Sequence, residues 1–398
     1  MTPEIKQRIE QIRRGEVPEG YKKGKLGVVP EEWEETSFSS LFTSTSDYTD
    51  DLEKYPLYSL TIEDGVTPKT ERYERSHLVK KEDSYKIVRP NDYAYNPMNL
   101  RFGSVARHKG NSPVAVSGYY DIFTTVHKSD LPFMDSFLTC DPMITYYNRV
   151  STGSLVEKQR VHFSQFLEFV LPLPSINERA KIAAILTTQD KVIELKEKRL
   201  AEKQRQKKYL MQQLLTGKKR LPGFSKEWKS VRLRNTLNVC HGQNQRNVEQ
   251  ENGVYPILGT GGEIGRTNDF LYDKPSILIG RKGSINKPMY METPFWTIDT
   301  LFYCKIKSGY HPKFLFFKFQ SINWNKYDES SGVPSLNAST IGSVDIFAPE
   351  FPEQTAIAEV LSAADREIDL LRQDIEQEKQ KKKALMQLLL TGIARVKT

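Results

Sequence analysis

The chain has 398 residues, more than one ordinary domain contains, and this length predicts two or three domains. Hydrophobic residues make up 38% of it and aromatic residues 11%, a composition that excludes a disordered chain. No apolar run approaches the roughly 18 residues of a membrane-spanning helix, and the N-terminus lacks the apolar core of a signal peptide. Three scattered cysteines, Cys140, Cys240 and Cys304, exclude a disulfide framework or a structural zinc site. We therefore expect a soluble, cytoplasmic protein with reduced thiols.

The chain begins with a charged, weakly helical extension, residues 1–20. Its apolar residues Ile5, Ile9 and Ile12 could place an extra helix against a partner or against another copy of the chain.

Four segments follow from the patterns along the chain. Residues 1–173, which include the extension, form a first globular domain, and residues 174–220 form a first long helix. Residues 221–348 form a second globular domain, and residues 349–398 form a second long helix. Both globular domains contain short β-like runs separated by Gly, Pro and Asn, with few helical stretches. We therefore expect two α+β domains.

The strongest internal signal is a tandem repeat. Residues 174–217 align without gaps with residues 349–392, and 17 of the 44 pairs are identical. Both copies end in Leu-Met-Gln-x-Leu-Leu-Thr-Gly. The globular domains share shorter motifs in the same order, namely a Trp near the entry and an Arg-x-Gly-Ser-Val/Ile motif. These motifs are Trp33 with Trp228, and residues 101–105 with residues 281–285.

Each copy of the repeat predicts one long helix. Residues 177–217 contain no proline, and a glycine follows the last apolar turn of both copies, as is typical of a helix end. About 40 residues at 1.5 Å per residue make a helix of roughly 60 Å. Apolar residues recur every seven positions and predict that the two helices pair. They are Leu186, Ile193, Leu200 and Leu214 in the first copy, and Leu361, Ile368, Ile375 and Leu389 in the second.

The formal net charge of +8 is concentrated in the first helix, where residues 177–220 contain 13 basic and 5 acidic residues. Its basic run, Lys203, Arg205, Lys207 and Lys208, is compatible with a solvated face, with docking of an acidic partner surface, or with support of DNA. The charge alone leaves these interpretations open.

The sequence contains no recognisable catalytic arrangement. The glycine-rich run at residues 259–265 does not have the G-x-G-x-x-G spacing of dinucleotide sites, and no P-loop motif is present. The six histidines show no metal-ligating spacing. We therefore predict no catalytic residue, no metal site and no cofactor in this chain.

Two variable α+β domains between two near-identical long helices resemble the DNA specificity subunit of type I restriction-modification enzymes. The resemblance includes the Glu-Arg/Gln-x-x-Ile-Ala runs at residues 178–183 and 353–358, and it covers residues 33–392. It implies two target-recognition domains and two helices paired as an antiparallel coiled coil with pseudo-twofold symmetry. It further implies a non-catalytic subunit that reads a bipartite, asymmetric site in double-stranded DNA with a fixed gap.

The resemblance also implies partners. Modification (methyltransferase) subunits, two in number, would dock along the helices, and restriction or motor subunits would join them. S-adenosylmethionine, ATP and Mg would be bound by those partners and not by this chain.

Candidates for DNA contact are polar residues in turn-rich segments, because Arg, Asn and Gln can read base edges while Lys and Ser hold phosphates. In the first domain they are Asn99, Arg101, Arg107 and Lys109. In the second they are Gln243, Asn244, Arg266, Arg281, Lys282, Ser284, Asn286, Lys287 and Asn337. Arg101 and Arg281 rank first because the duplication retains them, although a structural salt bridge would explain each arginine equally well.

Two other functional classes stay open. A coiled-coil scaffold with two protein-binding domains would show no DNA specificity. An enzyme with its own site in one globular domain would need a catalytic cluster that the sequence does not show.

Overall fold

The computed structural model describes residues 2–45, 47–69, 85–155 and 159–396. The chain divides into two compact units. Unit 1 comprises Met1–Leu195 and Ile375–Thr398, and unit 2 comprises Lys196–Asp374. Each unit mixes helices with antiparallel sheets, so the predicted α+β class is confirmed.

Unit 1 contains six helices that begin within it and thirteen strands among the described residues. The helices are α1 (Pro3–Arg13), α2 (Phe38–Leu41), α3 (Leu131–Phe137), α4 (Asp141–Val150), α5 (Phe163–Leu167) and α6 (Ile176–Leu214). The strands are β1 (Tyr21–Gly24), β2 (Gly27–Pro30), β3 (Glu34–Ser37), β4 (Phe42–Ser44), β5 (Tyr48–Thr49), β6 (Tyr58–Thr61), β7 (Gly65–Pro68), β8 (Tyr85–Val88), β9 (Tyr93–Tyr95), β10 (Val105–Arg107), β11 (Val114–Ser117), β12 (Asp121–Thr125) and β13 (Val170–Leu173).

Within the part of the chain that the structure describes, unit 2 has nine strands and four helices that begin in it. Its strands are β14 (Lys229–Arg232), β15 (Leu237–Cys240), β16 (Tyr255–Gly259), β17 (Gly262–Thr267), β18 (Ser276–Gly280), β19 (Met289–Met291), β20 (Trp296–Thr297), β21 (Leu301–Ile306) and β22 (Asp345–Ala348). Its helices are α7 (Leu233–Thr236), α8 (Pro312–Ser321), α9 (Ala338–Ser343) and α10 (Phe351–Leu389).

The sheets confirm the internal repeat. The four-stranded antiparallel sheet has the order β4-β12-β9-β10 in unit 1 and β15-β21-β18-β19 in unit 2, with the same order of strands along the chain. In both units a two-stranded pair, β3 with β13 and β14 with β22, leads into a long helix. The three-stranded sheets differ, because β5, β8 and β11 pair antiparallel, whereas β16 pairs parallel with β20.

Aromatic side chains form the core beside each four-stranded sheet. In unit 1 Phe123 stacks on Tyr93 with ring centroids 5.1 Å apart, and Phe42 packs edge-on against Phe123 at 5.0 Å. In unit 2 Phe302 and Trp324 are fully buried in the equivalent core. Burial of each such side chain removes a large apolar area from water, which stabilises both sheets on their inner faces.

The two long helices match the prediction from the repeat. Both α6 and α10 have 39 residues, and the glycine after each of them, Gly217 and Gly392, has a left-handed φ of +71°. The amide of Glu178 donates to Ser175 Oγ at 3.3 Å, which is one of the two hydrogen bonds of a capping box. Seven of the eight heptad residues are buried, and the eighth, Leu200, is half-buried.

The helices run antiparallel within each unit. In unit 2 Lys196 pairs with Asp374 at 2.8 Å, while Lys203, farther along α6, pairs with Glu367 at 2.8 Å, earlier in α10. In unit 1 the start of α6 and the end of α10 share one core, which contains Leu186 together with Leu389. The predicted helix pairing is thereby confirmed.

Lysines interrupt the heptad stripe because they form the same ion pair twice. Lys207 of α6 binds Asp365 in unit 2, and Lys382 of α10 binds Asp190 at 2.6 Å in unit 1. Lys203 also faces the other helix through Glu367. Two members of the basic run, Lys203 and Lys207, are therefore used in helix pairing, whereas Arg205 and Lys208 are exposed. For these two, a solvated face, an acidic partner surface and DNA support stay open.

The N-terminal extension contains a helix, as predicted, and it packs against this chain. Ile9 and Ile12 of α1 line a cavity of about 280 Å³ together with Leu388 and Ile393, which lie at the end of α10 and beyond it. Among the described residues, no helix is long and apolar enough to cross a membrane.

Candidate nucleic-acid interface

The Arg-x-Gly-Ser-Val/Ile motif has the same backbone conformation around its glycine in both units, although residues 100–102 form a 3-10 helix in unit 1 and Lys282 forms a bridge with Ser335 in unit 2. Gly103 and Gly283 have left-handed φ values of +92° and +86°, which a side chain would strain. The amide two residues later donates to each glycine carbonyl at 2.8 Å, from Val105 in unit 1 and from Ile285 in unit 2. Both residues are buried, so they anchor the turn in the core.

Unit 1 places its four candidates in two groups. Asn99 is exposed, and Arg101 lies half-buried on the same turn, where it donates to Gln159 at 3.2 Å. Arg107 makes a bidentate ion pair with Asp135, with donor–acceptor distances of 2.7 and 2.9 Å. Lys109 lies 3.6 Å from the same carboxylate, with 70% of its side chain exposed.

These contacts distinguish a residue that stabilises the fold from residues whose polar groups remain exposed. Asp135 raises the pKa of the Arg107 guanidinium through hydrogen bonding, and both side chains of the pair are only 17% exposed. Removal of Arg107 would therefore leave a largely buried carboxylate with a weaker partner. Asn99 and Lys109 keep exposed polar groups and stay the candidates of unit 1 best placed to reach a ligand.

In unit 2 several turns meet around Ile298. The missing Cβ of Gly242 would lie 2.0 Å from the Ile298 carbonyl oxygen, so only glycine allows this approach. The amide of the next residue, Gln243, donates to the carbonyl of Thr297 at 2.8 Å. Asn244 accepts a hydrogen bond from the Arg246 amide at 2.9 Å and so shapes its own turn. Gln243 and Asn244 both present exposed side chains from these turns.

The turn that begins at Arg281 is fastened to the segment before Asn337. The Gly283 amide donates to the Pro334 carbonyl at 2.8 Å, and the Leu336 amide donates to the Arg281 carbonyl at 2.9 Å. Asn337 caps α9 by accepting from the Thr340 amide at 2.7 Å. The structure therefore brings Arg281, Lys282 and Ser284 close to Asn337.

A carboxylate organises this neighbouring segment. The amides of Ser335 and Ser330 donate to Asp328 at 2.8 and 3.0 Å and hold the pKa of that carboxyl below its ordinary value. The segment that fastens the turn is thus held by a charge that persists at neutral pH.

The other candidates of unit 2 divide in the same way. Arg266 donates to Glu263 at 3.0 Å and to nearby carbonyls, and Asn286 accepts from the Trp324 amide at 2.9 Å, so both stabilise the fold. Lys282, Ser284 and Lys287 are exposed. DNA contact by any of these residues stays a prediction.

The Glu-Arg/Gln motif at the start of each long helix fastens the helix to its unit. Glu178 receives two hydrogen bonds from Arg395 at 2.8 and 3.1 Å, and Glu353 receives two from Arg220 at 2.6 Å each. Both glutamates are buried. The two arginines are also 175 residues apart, a repeat signal that lies just beyond the predicted end of the alignment.

The second residue of that motif differs between the copies, but in both it binds the loop that precedes another helix of the unit. Arg179 pairs with buried Asp130 at 3.1 Å, next to the start of α3. Gln354 accepts from the His311 amide at 2.9 Å, next to the start of α8. Arg and Gln are both long enough to hold the loop that precedes a helix.

Among the residues that the structure describes, no group of three or more His, Cys, Asp or Glu side chains is placed to hold a metal ion. The three cysteines are free thiols, of which Cys140 and Cys304 are buried. Burial raises the pKa of Cys140 to about 12, so that thiol stays protonated at neutral pH.

Comparisons with known proteins point in one direction. Residues 225–380 match the family described as "Type I restriction modification DNA specificity domain". A Methanocaldococcus jannaschii protein assigned as the specificity subunit of type I restriction enzyme MjaX is 26% identical over 424 aligned positions, which cover 96% of this chain and 98% of that protein. The type I restriction enzyme MjaVIII specificity subunit of the same organism is 27% identical over 270 positions, covering 58% of this chain and 64% of that protein.

A solved structure shares the fold. The S subunit of a type I restriction-modification system from M. genitalium superposes with a TM-score of 0.58 at 16% sequence identity, covering 92% of this chain and 97% of that one. The resemblance predicted from the sequence is therefore confirmed: residues 225–380 match the DNA specificity domain of type I restriction-modification systems, and nearly the whole chain is similar to a specificity subunit of such a system.

Proposed function

We propose that this chain is the non-catalytic subunit that selects the DNA sequence for a type I restriction-modification complex. It reads a bipartite, asymmetric site, with one half contacted by each unit. The observation that carries this proposal is the repeated motif with unequal exposed side chains before its glycine, Phe102 in unit 1 and Lys282 in unit 2. Two domains with the same four-stranded sheet order and different exposed residues suit two related readers of two different half-sites.

The paired helices set the gap between the half-sites in this proposal. Helix α6 is continuous over 39 residues and pairs antiparallel with α10 through buried apolar residues and repeated ion pairs. A stiff spacer fixes the separation of two readers, in the way that dimer geometry fixes half-site spacing in other DNA-binding proteins.

The chemistry belongs to partner subunits in this proposal. Modification subunits that carry S-adenosylmethionine would methylate the site, and restriction subunits would use ATP and Mg. Two modification subunits would match the two copies of the repeat.

Methylation mapping tests the proposal. The chain is co-expressed with its cognate methyltransferase subunit in an unmethylated host, and adenine methylation is mapped across the genome by single-molecule sequencing. We expect a split, asymmetric motif that disappears when this chain is omitted. An intact complex that produces no motif would instead favour a coiled-coil scaffold without DNA specificity.

A matched insertion tests the role of the helices as a spacer. Seven residues are inserted after Gln204 in α6 and seven after Arg366 in α10, because Lys203 contacts Glu367 across the pair. Seven residues keep the heptad register and add about 10 Å of helix. We expect a gap one to three base pairs longer, since DNA rises about 3.4 Å per base pair, and unchanged half-sites.

The same seven residues inserted at exposed Tyr119, in the turn between β11 and β12, serve as the control. That variant should keep the original gap. An unaltered gap in the doubly lengthened helices would rule out the spacer.

A further inference from the structure

The tip of the conserved turn in unit 1 is an exposed aromatic residue that the shared motif does not specify. Phe102 occupies the variable position of the Arg-x-Gly-Ser turn, and its side chain is 49% exposed. The equivalent residue in unit 2 is the exposed Lys282. The motif thus shares its glycine conformation between the units and differs in the exposed residue before that glycine, which is Phe102 in a 3-10 turn in unit 1 and Lys282 in a bridge to Ser335 in unit 2.

The backbone around Phe102 is fixed by short-range hydrogen bonds. The Phe102 amide donates to the Asn99 carbonyl at 2.9 Å, and the Gly103 amide donates to the Leu100 carbonyl at 2.7 Å. Asn148 Nδ2 donates to the Arg101 carbonyl at 2.7 Å, and Leu100 is fully buried. A side chain on such a turn reaches a ligand without a large cost in ordering the loop.

The conserved arginine supports this tip. The Arg101 guanidinium carbon lies 4.5 Å from the centre of the Phe102 ring, and Nη1 donates to Gln159. In unit 2 Arg281 likewise donates to the Asp299 carbonyl, at 3.3 Å. Both arginines are half-buried, so the variable residue extends farther into solvent than the conserved one.

A phenyl ring can read only part of the code on base edges. It has neither a hydrogen-bond donor nor an acceptor of ordinary strength, and the C5-methyl group of thymine is the apolar group that the major groove displays. Lys282, by contrast, carries an ammonium group that suits guanine O6 and N7 or a phosphate.

We propose that Phe102 is a specificity-determining residue that contacts the methyl group of a thymine in the half-site read by unit 1. This inference rests on the proposed function. Because the tips differ, the half-site read by unit 2 does not depend on Phe102.

Methylation mapping with Phe102→Ala is the first test. We expect the preference for thymine at one position of one half-site to fall about fourfold, the value for loss of one buried methyl group. The other half-site and the gap should stay as in the wild type. Phe102→Leu keeps an apolar tip and should retain part of the preference.

Binding to modified DNA is the second test and does not depend on methylation activity. The complex of this chain with its methyltransferase subunit is titrated with duplexes in which single thymines of the mapped site are replaced by deoxyuridine, which lacks only the methyl group. One replacement should weaken wild-type binding about fourfold and leave Phe102→Ala binding unchanged.

Phe347→Ala is the matched control, because Phe347 is a similarly exposed phenylalanine, at 58%, on β22 of unit 2. This variant should behave like the wild type in both tests. A wild-type motif that Phe102→Ala leaves unchanged, or a deoxyuridine effect equal in both proteins, would overturn the inference alone. A wild-type complex without any motif would overturn the proposed function as well.

Discussion

In both units the end of a long helix packs on a tryptophan near the start of the unit, and we call this contact the closure of the unit. The chain connects the two parts of the closure differently in the two units. In unit 2 Gly217, at the end of α6, packs against Trp228, whose ring lies 3.4 Å from the position that a glycine Cβ would take. A short covalent link joins these two residues. In unit 1 Gly392, near the C-terminus, packs against Trp33, near the N-terminus. A Cβ at residue 392 would lie 2.9 Å from the Trp33 ring. The packing of helix end on tryptophan therefore does not depend on chain connectivity.

Each unit satisfies the last carbonyls of its helix with different groups. In unit 2 Lys318 donates to the Leu215 carbonyl. In unit 1 Tyr21 donates to the Gly392 carbonyl at 2.8 Å, and Arg8 of α1 donates to the Ile393 carbonyl. In unit 1 Tyr21, together with Arg8 of the N-terminal extension, thus binds carbonyls just beyond α10, whereas in unit 2 a buried lysine binds the carbonyl just beyond α6.

Removal of the buried glutamate should have the largest effect on either closure. Glu353→Ala removes the carboxylate that accepts from both Arg220 and the indole N–H of Trp228. Glu178→Ala removes a carboxylate that accepts from Arg395, which keeps its ion pair with Glu32. Breaking a buried pair costs about 3–5 kcal/mol. We expect losses near the lower end of that range, because the arginines are 26% and 34% exposed, and a larger loss for Glu353→Ala.

Urea denaturation measures these losses, and hydrogen exchange assigns each loss to a unit. The exposed pair of Glu350 with Lys226 provides the control, since Glu350→Ala should cost less than about 1 kcal/mol. Equal small losses in all three variants would show that the buried pairs do not stabilise the closures.

Substitution of Gly217 and of Gly392 by alanine should distinguish the cost of overpacking from the cost of backbone strain. Both glycines have a φ of +71°, so either substitution costs about 1–2 kcal/mol in backbone strain. A Cβ at residue 392 would also lie 2.4 Å from the ring of Pro30, whereas a Cβ at residue 217 makes only ordinary contacts. Overpacking costs a further 1–3 kcal/mol or so. We expect Gly392→Ala to lower the unfolding free energy more than Gly217→Ala, and similar values would contradict the tighter packing in unit 1.

The sequence predicts local regularity better than it predicts these closures. The heptad pattern and the repeat predict the bounds of α6 and α10 to within a few residues, because a helix and its apolar face depend on residues that are close in the sequence. The contact of Gly392 with Trp33 joins the two ends of the chain, and no short-range pattern indicates it. The sequence likewise did not predict the ion pair of Lys207 with Asp365, because a heptad pattern shows only which positions are apolar.

The candidate site shows a similar limit. The shared motif drew attention to Arg101 and Arg281, which the duplication keeps, and the structure shows that both lie half-buried beside acceptors. Residues common to both units are expected to stabilise features of the fold that the units share. Phe102 was missed because a search for identical residues in the two copies passes over positions at which the copies differ.

The smallest expected effect is a difference in the pH dependence of the two closures. Burial lowers the pKa of Lys318 to about 8, whereas the same lysine in the unfolded chain titrates near 10.5. Between these values the unfolded chain binds more protons than the folded one, so this residue makes stability rise with pH. Burial raises the pKa of Tyr21 above its usual 10, so that phenol makes stability fall with pH above about 10.

We therefore expect the unfolding free energy of the wild type, relative to Lys318→Met, to increase by about 1 kcal/mol from pH 7 to pH 9. Tyr21→Phe should show no such change over the same range. Urea denaturation at several pH values measures both differences. The Lys318 ammonium also lies 5.1 Å above the ring of Trp228, an arrangement that favours the charged form. A flat difference up to pH 9 would mean that this ring and the Leu215 carbonyl offset the cost of burial, so that the lysine remains a charged cap on α6.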